Sequence, residues 1–106
     1  MAEYIDVAAA DDVPAGTARQ VQIGERRIGV YNVSGDLYAM DDLCSHDQAW
    51  LSDGDFDPER RSVRCPRHTS TFDLTTGRPR TLPAIRAVAT YEAKFEAGRV
   101  LILIDT

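Results

Sequence analysis

Along much of this chain apolar and polar residues alternate with a period of two, the pattern of strands with one buried face. Tyr4-Ile5-Asp6-Val7 fits a first strand, and Pro14 and Gly16 then mark a turn. Between Thr17 and Ile23, Val21 and Ile23 fall on one face and Gln20 and Gln22 on the other. Gly24-Glu25 predicts a turn into Arg26 to Val33, and Ser34-Gly35-Asp36 a second tight turn into Leu37-Tyr38-Ala39-Met40. Two successive hairpins with no helical period between them predict an antiparallel sheet. Alternation returns at Ala89, Tyr91, Ala93 and Phe95, followed by a turn at Glu96-Ala97-Gly98-Arg99. The final run, Val100 to Ile104, is too short for a helix and β-rich enough for a buried strand.

Residues 41–84 break this pattern. They are rich in Asp, Gly, Ser, Thr and Pro, with short apolar pieces at Ser62-Val63-Arg64 and Thr71-Phe72. Thr75-Thr76-Gly77 predicts a turn, and Arg78 to Pro83 an extended loop. The expected architecture is all-β, one domain over residues 1–106. Base sheets come from about 1–40 and 85–106, with a loop-built subdomain inserted at about 41–84.

The length suits one compact domain, and 43% apolar residues supply one modest core. A formal charge of −5 excludes nucleic acid as the main partner, since phosphate binding needs a basic face. No run approaches the roughly 18 apolar residues of a membrane helix. The N-terminus, Met1 to Asp6, has neither a basic region nor an apolar core, so the expectation is no secretory signal and a cytoplasmic location. Charge is unevenly placed. Asp36 to Glu59 carries eight acids and no lysine or arginine, whereas Arg60 to Arg86 carries seven arginines against the single Asp73. Such a distribution reads either as a solvated, mutually paired surface or as a dipolar rim that orients a partner.

The chemistry lies in the middle segment. The chain has two cysteines and two histidines, and all four fall in Cys44-Ser45-His46 and Cys65-Pro66-Arg67-His68. Two thiolates and two imidazoles suit a soft or borderline transition metal. In a reducing compartment, two cysteines read as metal or redox ligands rather than as a disulfide. Three readings compete. Structural zinc accepts Cys₂His₂, but its first ligand pair is usually separated by two to four residues, and here only Ser45 intervenes. A Cys–His nucleophile pair leaves the second segment without a role. A [2Fe–2S] cluster with two histidines in place of two cysteines uses all four residues.

Cys-x-His followed by Cys-x-x-His, each on a loop of an all-β chain of this length, resembles the Rieske iron–sulfur proteins. Leu51-Ser52-Asp53-Gly54 is similar to the segment after the first ligand loop in small Rieske ferredoxins of bacterial aromatic-ring dioxygenase systems. Thr76-Gly77-Arg78 and Leu82-Pro83-Ala84 resemble the turn and proline loop that cover the cluster. The resemblance implies the Rieske fold, an antiparallel β-sandwich base with an inserted cluster-binding subdomain. It implies one Rieske-type [2Fe–2S] cluster, with Cys44 and Cys65 on the inner iron and His46 and His68 on the outer. It implies a soluble one-electron carrier, itself no enzyme, between an NAD(P)H-dependent flavin ferredoxin reductase and a terminal ring-hydroxylating oxygenase, and acting as a monomer. The small subunit of an assimilatory nitrite reductase is the alternative within the fold. A zinc-stabilised β module that binds protein is the alternative outside it.

Three departures bear on that reading. Eighteen residues separate His46 from Cys65, slightly more than the family pattern, and the extra length is expected at the Asp57-Pro58-Glu59-Arg60 tip. The disulfide cysteines and membrane anchor of the quinol-oxidising members are not matched. At Phe72 the high-potential members have a tyrosine whose hydroxyl bonds to sulfur, while their serine is matched by Ser70. The missing donor implies a potential in the lower part of the Rieske range, roughly −150 to 0 mV. Trp50 is expected to pack under the first ligand loop, Ser45 to bond locally to backbone, and Pro83 to shield the cluster. Tyr31, Tyr38 and Tyr91 are expected at the core edge, and Arg67 at the cluster rim.

Overall fold

The structure is a computed structural model that describes residues 2–46, 48–67 and 69–105. Among the described residues ten strands form three antiparallel sheets. The first sheet joins β1 (Ala2–Ala9), β10 (Arg99–Asp105) and β9 (Ala93–Glu96), with β10 in the middle. The second runs β2 (Ala18–Ile23), β3 (Arg26–Val33), β4 (Asp36–Asp41) and β8 (Thr90–Tyr91). The third, built from β5 (Asp55–Asp57), β6 (Ser62–Arg64) and β7 (Thr71–Asp73), lies wholly within the middle segment. That segment therefore has a small sheet of its own between its loops.

The predicted turns close the hairpins. β3 and β4 are joined by Ser34 and Gly35, with φ of 52° and 97°. Positive φ at both positions is what a tight hairpin turn needs to match the twist of its strands, and glycine at the second position accepts it without strain. β1 is longer than Tyr4–Val7 because it pairs along β10 from Ala2↔Asp105 to Ala9↔Arg99. The alternating run from Ala89 to Phe95 is not one strand. Thr90–Tyr91 joins β4, and Ala93–Glu96 joins β10, so the chain changes sheets at Glu92.

β3 explains how base and site are connected. Every residue from Ile28 to Val33 is buried. Successive side chains of a strand point to opposite faces. Ile28 and Val30 therefore join Val21, Ala39, Val100, Ile102 and Ile104 in a core between the two base sheets. Tyr31 and Val33 join Met40, Leu51, Val63, Phe72 and Leu74 in a second core under the middle segment. One sheet thus serves as the wall of both cores. Tyr31 is fully buried rather than at an edge, and its ring meets Phe56 edge-on at 5.2 Å. Tyr38 and Tyr91 are half-buried.

Candidate metal centre

Both cysteines stand at the same point of two equivalent hairpin tips. In the first, Leu43 pairs with Trp50 and the Cys44 N–H donates to the Ala49 carbonyl at 2.9 Å. In the second, Arg64 pairs with Thr71 and the Cys65 N–H donates to the Ser70 carbonyl, also at 2.9 Å. Each tip encloses six residues, and each begins on its cysteine. Cys44 and Cys65 are 4% and 2% exposed and belong to the same hydrophobic core, whereas His46 is exposed. His68 and Asp47 lie outside the described residues. The structure thus brings both thiols inward and leaves one imidazole at the surface. Two buried soft donors with an imidazole on the solvent side fit a cluster that has an inner and an outer iron.

The first tip is anchored by a residue that the ligand motif does not single out. Asp42, at the end of β4, is wholly buried. Its Oδ1 accepts from the Ser52 amide at 2.7 Å, and its Oδ2 accepts from the Ser52 hydroxyl at 2.6 Å and the Gln20 side-chain amide at 2.7 Å. Its own N–H donates to the Arg27 carbonyl, and its carbonyl accepts from Leu51. Both ends of the loop are thereby fastened to β2 and β3. The strand period was the available signal, because Met40 and Asp42 fall on the same inward face. Nearby, burial and the charges of Asp42 and Asp53 push the Tyr31 phenol far above its usual range. Its hydroxyl is buried and has no hydrogen-bond partner among the described residues.

The second tip is held by hydroxyls. Thr69 Oγ1 donates to the Leu82 carbonyl, and Thr81 Oγ1 donates to the Thr69 carbonyl while accepting from the Thr71 amide. Buried Ser70 accepts from the Ala84 amide at 2.8 Å. Phe72 is wholly buried in the core beneath, so no phenol stands at that position.

Several neighbours differ from expectation. Trp50 is 38% exposed, with the Arg27 guanidinium 5.8 Å from its ring centre. Its flanking residues Ala49 and Leu51 take the inward positions. Ser45 bonds not locally but across 41 residues, donating to the Arg86 carbonyl at 2.6 Å. Pro83, whose shielding of the cluster stays an expectation, is exposed beside the buried Ala84. The long connection before Cys65 does turn over beyond Asp57, where residues 58–61 link β5 to β6. Arg60 and Arg80 pair with Asp57 and Asp73. Among the described residues Arg61, Arg64, Arg78 and Arg86 form no ion pair, so the arginine run is only partly neutralised.

Known proteins match this arrangement over nearly its whole length. The chain is 37% identical over 102 residues to the ferredoxin component of the naphthalene 1,2-dioxygenase/salicylate 5-hydroxylase systems of a Ralstonia species, covering 96% of each chain. The ferredoxin of carbazole 1,9a-dioxygenase from Nocardioides aromaticivorans IC177 superposes with a TM-score of 0.88 at 29% identity, over 93% of this chain and 95% of that one. A chain in the complex of reduced oxygenase and oxidized ferredoxin of carbazole 1,9a-dioxygenase gives 0.84 at 33% identity, covering 93% and 91%. The model of the Rieske [2Fe-2S] domain matches residues 3–92. An iron–sulfur rather than a zinc site follows, and the chain belongs to the Rieske [2Fe-2S] domain family, with one cluster of that type as its cofactor.

Proposed function

We propose that this protein is the ferredoxin component of a ring-hydroxylating oxygenase system. It takes single electrons from a flavin-dependent reductase and passes them to the terminal oxygenase. The observation that carries this reading is the pair of equivalent tips, which bury Cys44 and Cys65 in one core and expose His46. The full-length likeness to ferredoxin components supports it, as does the solved complex in which a related ferredoxin meets its oxygenase.

Cys44 and Cys65 would hold the inner iron, and His46 and His68 the outer. When bound, the cluster supplies a one-electron couple, with neutral imidazoles raising its potential above that of all-cysteine clusters. The protein's share is to exclude water from the thiolates, to fix the two tips at one spacing, and to present His46 to a partner. It has no catalytic residue of its own in this reading. Exposed Pro66, Leu82 and Ile85 lie in the same stretch as the unpaired arginines, giving a rim that suits a transient, charge-guided encounter. Residues 41–84 act as the cluster-binding part of a single domain. Among the described residues no helix is long and apolar enough to cross a membrane, and we place the protein in the cytoplasm as a monomer.

The test is reconstitution with iron and sulfide, followed by redox titration and EPR of the reduced protein. An imidazole-ligated [2Fe–2S] signal and a midpoint between roughly −150 and 0 mV are expected; a value above about +200 mV contradicts the assignment of Phe72. His46→Cys should lower the midpoint by roughly 200 mV or more, toward the all-cysteine range. An unchanged midpoint removes His46 from the ligand set. Electron delivery to a partner oxygenase should slow as salt rises.

A further inference from the structure

The carboxylate under the first ligand loop has a structural task, but its chemistry exceeds that task. Asp42 is wholly buried, and all three side-chain hydrogen bonds are donated to it, by the Ser52 amide, the Ser52 hydroxyl and Gln20. An acceptor-only pattern on both oxygens is that of an ionised carboxylate. Among the described residues no cation pairs with it. A buried charge without a counter-ion is costly, and a neutral side chain would fasten the loop more cheaply.

The fold also reserves space for this group. A Cβ on Gly29 would stand 2.8 Å from Asp42 Oδ1 and 3.0 Å from the Tyr31 hydroxyl. The neighbouring phenol does not donate to the carboxylate, so among the described residues only neutral dipoles offset its charge. Only Leu43 separates Asp42 from Cys44 along the chain, which limits their Cα atoms to about 7.6 Å apart.

We propose that Asp42 is a positioning residue that also sets the reduction potential, its fixed negative charge opposing the arrival of an electron next to Cys44. This rests on the assignment of Cys44 as a cluster ligand. Gln20 and Ser52 act on the same charge in the opposite sense, because each donated hydrogen bond offsets part of it.

The sign of the shift separates this role from a merely structural one. Reconstituted wild type, Asp42→Asn, Ser52→Ala and Gln20→Met are titrated with EPR detection, and iron content and melting are measured in parallel. Asp42→Asn should raise the ratio of reduced to oxidised protein at fixed ambient potential by on the order of tenfold, ~59 mV for one electron. That is the scale of one unit charge about 10 Å away at an effective dielectric of about 20. Ser52→Ala and Gln20→Met keep the charge and each remove one side-chain donor to it, so both should lower the ratio, by about twofold, as partial offsets to a unit charge. An unshifted Asp42→Asn, or donor variants that shift upward with it, overturns the proposal. If Asp42→Asn does not load iron, the donor variants decide alone: a fall supports the proposal, and no change or a rise overturns it. A wild type without the imidazole-ligated signal overturns the ligand assignment itself. A normal wild-type signal with unshifted variants overturns only the role of Asp42.

Discussion

The tip at residues 44–49 and the tip at 65–70 close with the same cysteine-to-carbonyl hydrogen bond, yet they hang on different supports. The first extends from the large base sheet and is fastened by a buried carboxylate that reaches β2 and the far end of its own loop. The second extends from the three-residue strands β6 and β7 and is fastened by Ser and Thr hydroxyls to the segment 81–84. One backbone plan is thus reached from unrelated sequences, because the tip needs only a paired residue before the cysteine and one amide bond after it. Charge holds one side and neutral hydrogen bonds hold the other. The first support therefore touches the electrostatics of the site, while the second touches mainly its rigidity.

The strongest way to break this arrangement is at the seam between the tips. Gly54 ends the short 3₁₀ turn after the first tip, and a Cβ there would stand 1.8 Å from the Arg64 carbonyl, next to Cys65. Backbone on backbone leaves no flexible group to move aside. Gly54→Ala should cost about 3 kcal/mol or more and lower the melting temperature by roughly 10 °C or more. Melting within about 2 °C of wild type would show that the two tips are not pressed together there.

A smaller effect is expected at the second support alone. Ser70→Ala leaves the Ala84 amide buried without its acceptor, at a cost of about 1–3 kcal/mol. Denaturant unfolding of the holoprotein measures it. A cost near zero would mean that residues 81–84 are not held through Ser70.

The smallest effect is at the surface of that same side. Burial works to raise the Asp73 carboxyl, but the Arg80 guanidinium and the Thr75 and Thr76 amides outweigh it and hold the carboxyl below its usual 3.8. The folded value is thus lower than the unfolded one. The contribution to stability is complete above the unfolded value and is lost as pH falls through the folded one. Arg80→Ala should cost less than about 1 kcal/mol at neutral pH, given the exposure of the pair. The gap between variant and wild type should close as pH falls below 3.8. A gap that persists in acid would assign the effect to lost packing of the arginine stem instead.

Much of this was legible in the chain itself. The candidate ligands stand out by clustering, since every Cys and His falls in two short segments. Turn chemistry placed the hairpins at Gly24-Glu25, Ser34-Gly35 and Ala97-Gly98, because few residues tolerate the backbone those turns require. Other features left no local mark. The period of two shows that β3 alternates, but its polar-looking neighbours do not show that both faces meet a core. Nothing near Glu92 signals that a single alternating run divides between two sheets. Trp50 is large and apolar, which favours burial, yet pairing with Leu43 puts it on the outer face of the tip.

The sequence by itself determined the candidate donor set, the strand-and-turn pattern and the all-β class, because these depend on residue type, spacing and local backbone preference. Only the tertiary structure decided which elements share a wall, that the two tips are copies of one hairpin end, and that Asp42, Gly29, Gln20 and Ser52 meet beneath the first of them. Those facts depend on residues brought together from β2, β3 and the loop, where the cost of a buried charge or a missing Cβ is set by neighbours distant in the chain.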